Sequence, residues 1–213
     1  MIRRHPNYPL DRTFGDKPSG NYAEFEIDGT LRFYGNATCF RDEFGDITKL
    51  KIAGTGITET LTENTVGLQT SCDYANDYLI SNFQFNHDRK HLAPVFPHVH
   101  WFQTQNNTPN FLFQYRWQLN GQAKTTAWSN HKMTTNAFTY TSGTLNQITY
   151  GLGITPPAGD NVSTILQVRF TRDKTNASAA FTGSDTHTAT AEITSLDIHI
   201  EIDAIGSRTE YSK

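Results

Sequence analysis

Cysteine is scarce in this chain. Cys39 and Cys72, alone in 213 residues, build neither a disulfide framework nor a four-ligand zinc site, both of which need more thiols. They read as free, buried thiols of a protein made in a reducing cytoplasm. An excess of one charge is lacking too. Eighteen Lys and Arg stand against 21 Asp and Glu, a formal charge of -3 with both signs mixed along the chain. That leaves no electrostatic footprint for nucleic acid or for an anionic membrane. No apolar run approaches the roughly 20 residues that span a bilayer. Arg3 and Arg4 are followed by His5, Pro6, Asn7 and Asp11 rather than by the apolar stretch of a secretion signal. A soluble protein without nucleic-acid or membrane partners is expected. Helical periodicity is missing as well, with Thr58 to Val66 as the one candidate for a short helix.

What is present is strand-forming. Aromatic residues reach 12% against only 18% charged, and threonine and asparagine are abundant, which suits half-buried strands joined by polar turns. Tyr22 to Tyr34 reads as a hairpin, with Phe25 and Ile27 alternating with Glu24 and Glu26, Asp28-Gly29 at the turn, and Leu31 and Phe33 resuming the pattern. Clear alternation marks Leu79 to Phe85 and Val95 to Gln103 as candidate strands, and apolar residues recur at every second position over Phe111 to Leu119, Ile148 to Ile154, Leu166 to Phe170 and Leu196 to Ile202. Each is a one-sided strand. The expected fold is all-β, an antiparallel β-sandwich of jelly-roll-like type. It would occupy residues 22–213 as a single domain, preceded by an extended arm over residues 1–21 with three prolines and little periodicity. Strands within residues 36–73 are hard to place.

Side chains on a strand alternate between faces, so Phe96, His98, His100 and Phe102 share one face. Paired imidazoles there fit a metal site within the chain, a cluster where subunits meet, or histidines hydrogen-bonded at a packed surface. Cupin-type metalloenzyme sites begin with a strand-borne His-x-His, but add a carboxylate four or five residues on, where this chain has Gln103, Thr104 and Gln105. Three subunits meeting at a threefold axis would surround one transition-metal ion with six imidazoles, a closed structural site with no open position. His98 and His100 are the candidate metal ligands on that reading, and no other cofactor is implied. His199 shares a face with Asp197, Glu201 and Asp203, an arrangement suited to a cation or an acid–base pair, though a solvated strand face is the expectation. Ser195 and His187 lack a Gly-x-Ser-x-Gly elbow, and Gly54-Thr55-Gly56 lacks the lysine and third glycine of a phosphate loop. Trp128, in a polar loop between Ala127 and Ser129, is the candidate for stacking on a glycan or a partner.

Three stretches, taken in order, carry a resemblance. They are Phe83-Gln84-Phe85-Asn86-His87 followed by Pro97-His98-Val99-His100-Trp101; then Tyr115-Arg116-Trp117 with Asn120-Gly121 and Trp128; and last Asp197-Ile198-His199 through Asp203, Gly206-Ser207-Arg208, Glu210-Tyr211 and Lys213. Together they are similar to a family of structural proteins of tailed bacteriophages, over roughly residues 79–213. The resemblance implies a virion component made in the host bacterial cytoplasm, with no catalytic residues to carry over. The expected protein is then a non-enzymatic capsid decoration or neck component. It would be a homo-oligomer, a trimer favoured, whose partners are the major capsid protein or other virion proteins. Its action would be mechanical, burying surface across neighbours so that the shell resists internal pressure. The alternatives are a receptor- or glycan-binding fibre module of a phage and a cupin-like metalloprotein.

Overall fold

The computed structural model describes residues 13–26, 29–45, 50–60, 64–134, 140–149 and 152–205. Fourteen strands run through them: β1 (Thr13–Asp16), β2 (Asn21–Phe25), β3 (Leu31–Tyr34), β4 (Cys39–Gly45), β5 (Lys51–Ala53), β6 (Ile57–Thr60) and β7 (Thr65–Leu68), then β8 (Tyr78–Gln84), β9 (Phe96–Gln103), β10 (Phe111–Gln118), β11 (Ser129–Lys132), β12 (Asn146–Thr149), β13 (Ile165–Arg172) and β14 (Ala191–Ile202). They form three sheets, ordered β1-β2-β3, β11-β10-β13-β8-β5 and β12-β9-β14-β7-β6, with β4 added to β14. The strand pairs are antiparallel throughout. The fold is all-β, and its two larger sheets pack as a sandwich.

The alternation visible in the sequence is what builds the core. In the five-stranded sheet Phe113, Phe170 and Leu79 stand side by side across β10, β13 and β8, all fully buried. The opposing sheet turns Val99 and Trp101 of β9 inward with Ile193, Leu196, Ile198 and Ile200 of β14. Trp101 joins the layers, meeting Phe111 edge-on at 5.1 Å and Tyr140 at 4.7 Å. Its indole N–H donates to Gln103 at 2.7 Å, so the ring contributes apolar area without stranding its polar atom. Each such buried side chain stabilises by about 1.5–3 kcal/mol.

A β-bulge in β14 governs which residues face outward. Ile193 pairs with Trp101, yet Ser195 pairs with His100, leaving Thr194 extra. Ala191 and Ile193 point inward before it, and Leu196, Ile198 and Ile200 after it. One inserted residue exchanges the two faces of a strand, and here it sends Asp197 and His199 to the outer side.

Two expectations change. Of the helix expected over Thr58 to Val66, residues 61–63 lie outside the described residues, and on either side Ile57–Thr60 and Thr65–Leu68 pair as strands, because β-branched threonines and valine suit a pleated surface and Val66 and Leu68 find burial there. Cys72 is buried, but Cys39 is exposed at the start of β4. Of the arm expected over residues 1–21, residues 1–12 lie outside the described residues, while Thr13–Asp16 pair with β2 as a strand. The hairpin does form, with Tyr22 opposite Tyr34 and their rings stacked at 4.4 Å. The Gly206-Ser207-Arg208 ending also lies outside the described residues. Among the described residues no helix is long and apolar enough to cross a membrane.

Candidate functional site

The outer face of the β12-β9-β14-β4 region gathers the histidines. Reading across it, Thr149, His98, Asp197 and Phe44 stand in one row, and Phe96, His199 and Asp42 in the next. Below them Glu201 is opposite Phe40, and above them Gln147, His100 and Ser195 line up. Residues far apart in the chain thus become neighbours through strand pairing alone.

His98 is at the centre and 8% exposed. Its Nδ1 hydrogen-bonds the Thr149 hydroxyl, and its Nε2 lies 2.7 Å from His100 Nε2, one imidazole donating to the other. His199 stacks on the His98 ring at 4.4 Å and places Nε2 3.1 Å from Asp42 Oδ1. Asp197 is 2% exposed, and its Oδ1 has no hydrogen-bond partner. The solvated face expected for this residue is therefore not what forms, because β4 covers the edge of β14 that the sequence left bare. Burial pushes the Asp197 carboxyl up to about 7, with the Asp42 charge adding to it. Burial pulls His98 down to about 4, reinforced by His199 and His100, and it lowers His100 as well. His98, Asp197 and His199 each offer a metal-ligand atom within 4.8 Å of the others.

Apolar groups frame this cluster. Phe40 is 62% and Phe44 72% exposed, with Phe102 at 38% further along the face. Phe40 also meets Phe96 edge-on at 5.8 Å.

The two histidines singled out from the sequence, His98 and His100, do meet. Their neighbours Asp197, His199 and Asp42 were not joined to them by sequence reasoning. The available signal was the spacing of Ile193 and Leu196, which breaks the period of two and marks the bulge, together with Phe40-x-Asp42-x-Phe44. Ser195 faces the His100 row, whereas His187 is wholly buried beside Arg172, whose guanidinium donates to its carbonyl. Trp128 is half-buried in the loop just before β11, with the guanidinium groups of Arg116 and Arg169 4.4 and 4.2 Å from its ring. The expected loop position holds, and the ring lies against Arg116 of β10 and Arg169 of β13. Gly54-Thr55-Gly56 wraps a carboxylate of its own chain: Asp77 Oδ1 accepts the N–H of Thr55 at 2.7 Å and of Gly56 at 2.9 Å.

Comparison of the chain with family models, with curated proteins and with solved structures returns no match.

Proposed function

We propose that this chain is a non-enzymatic structural subunit of a tailed-bacteriophage particle. It decorates the capsid or sits at its neck as a homo-oligomer, a trimer favoured, and stabilises the particle through contacts with its copies and with neighbouring virion proteins. The phage context rests on the resemblance of the His-x-His-Trp and Gly-Ser-Arg-x-Glu-Tyr stretches. The observation that carries the assembly reading is the outer sheet face, where Phe40 and Phe44 project into solvent on either side of Asp42. Single exposed phenylalanines are ordinary, but aromatic residues aligned on one face beside half-buried polar groups have the composition of a subunit interface. A second copy of the chain is the occupant this reading assigns, since closed symmetry repeats one patch around an axis.

Light-scattering mass of the purified protein tests this, together with mass spectrometry of purified particles. The expected result is a trimer that a Phe40→Ser, Phe44→Ser double variant converts to monomer with its fold intact, and a chain recovered from virions. A monomer that binds no capsid or other virion component and is missing from particles would sink the proposal.

A further inference from the structure

We propose that His98, Asp197 and His199 bind one divalent transition-metal ion within a single chain. Their ligand atoms already lie within 4.8 Å of one another. Asp197 is opposite His98 in the β9–β14 register and His199 is two residues further along β14, so adjacent paired strands hold all three donors. The telling atom is Asp197 Oδ1, in a side chain 2% exposed and without a hydrogen-bond partner. A buried carboxylate oxygen left unpaired is costly, and here its neighbours are two imidazoles, themselves metal ligands.

The outer partners such a site needs are also in place. A ligating histidine usually has its other ring nitrogen held by an oxygen, which fixes the tautomer and the ring orientation. Thr149 holds His98 Nδ1, and Asp42 stands 3.1 Å from His199 Nε2. Binding exchanges the His98–His100 hydrogen bond for a bond from His98 Nε2 to the ion. Two imidazoles and a carboxylate select zinc, cobalt or nickel over magnesium or calcium, which prefer all-oxygen shells. Bonds of about 2.0–2.2 Å require donors closer than the present spread, so the three side chains draw in on the ion. The ion braces β9 to β14 and gives the buried Asp197 a positive partner.

This site differs from an ion on a threefold axis in needing no second chain, and from a cupin site in taking its carboxylate from the neighbouring strand. It also stands apart from the assembly proposal. The test titrates chelator-stripped protein with zinc in a calorimeter, with thermal melts and light-scattering mass on the same sample. One equivalent per chain and a melting temperature that rises with zinc, but not with magnesium, are expected. Asp197→Asn and His199→Gln should each weaken binding by at least the roughly 10–100-fold that loss of an outer-shell partner already costs. His199 is on the outer face, so its Gln variant keeps a test available if Asp197→Asn folds poorly. No heat and no melting shift, unchanged affinity in a folded variant, or one third of an equivalent per chain would each overturn the site. A monomer binding one equivalent upholds it while refuting the assembly reading.

Discussion

Replacing Asp185 with Ala should cost this protein more than almost any other polar substitution. Arg172 closes β13, and both its guanidinium and the Asp185 carboxylate are completely buried. Nε donates to Asp185 Oδ2 at 2.6 Å and Nη2 to Oδ1 at 3.1 Å, a bidentate pair. Nη1 donates to the carbonyls of Ala189 at 2.7 Å and Leu68 at 3.3 Å. Leu68 ends β7 in the other sheet, so a single guanidinium ties both layers to the segment leading into β14. Asp185 also accepts the backbone N–H of Asn110 at 3.0 Å and of His187 at 2.7 Å. Removing the carboxylate strands a buried cation, which costs about 3–5 kcal/mol, and the two orphaned N–H groups push the loss toward the top of that range. At about 2–4 °C per kcal/mol for a chain of this size, the melting temperature should fall by roughly 10–20 °C. The double variant Arg172→Met, Asp185→Leu removes both charges and should be the more stable of the two, since apolar replacements often match a buried pair. Urea unfolding of the full double-mutant cycle reads these values. A drop below about 3 °C for Asp185→Ala, or a double variant less stable than that single one, would refute the reasoning.

Other expectations follow from the same geometry. Gly54 has φ +83°, and a Cβ there would come 1.9 Å from Asp77 Oδ1. Gly54→Ala should therefore expel that carboxylate and lower stability by at least about 2 kcal/mol in urea unfolding, and an unmoved midpoint would count against the cradle. Trp101→Ala should cost about 3–5 kcal/mol by opening a cavity between the sheets, seen as a lower melting temperature with the same strand signal in circular dichroism. His187 titrates below its ordinary 6.5, because burial and then the Arg172 charge disfavour its cation. With the folded value lower than the unfolded one, protonation favours unfolding, so this contribution leaves stability untouched above about pH 6.5 and erodes it as pH falls below. His187→Leu should flatten the melting-temperature slope between pH 7 and 5, and an unchanged slope would exclude the residue.

Much of the strand content was legible because it is a local property. A period of two apolar positions over Phe111 to Leu119 suffices to mark β10 and its inward face, whatever lies beside it. The same holds for Leu196 to Ile202, whose outward Asp197 and His199 were assigned to the correct side of the strand. Thr58 to Val66 misled because its few apolar residues suit either period, and only the pairing of β6 with β7, and of β7 with β14, chose the strand. Asp197 misled for another reason: its burial depends on β4, a strand drawn from the threonine- and glycine-rich stretch where alternation is weak.

The sequence by itself determined that this protein is all-β, which residues of each clear strand share a face, and that His98 and His100 stand together. Only the tertiary structure decided that Asp197, His199 and Asp42 join them, that Cys39 is exposed and that Asp77 fills its own glycine loop. Side-chain alternation follows from the backbone geometry of each strand alone. Which strand lies next to which is settled collectively, by the register that buries Trp101, Phe111 and their neighbours all at once, and residues a hundred positions apart carry no local mark of that choice.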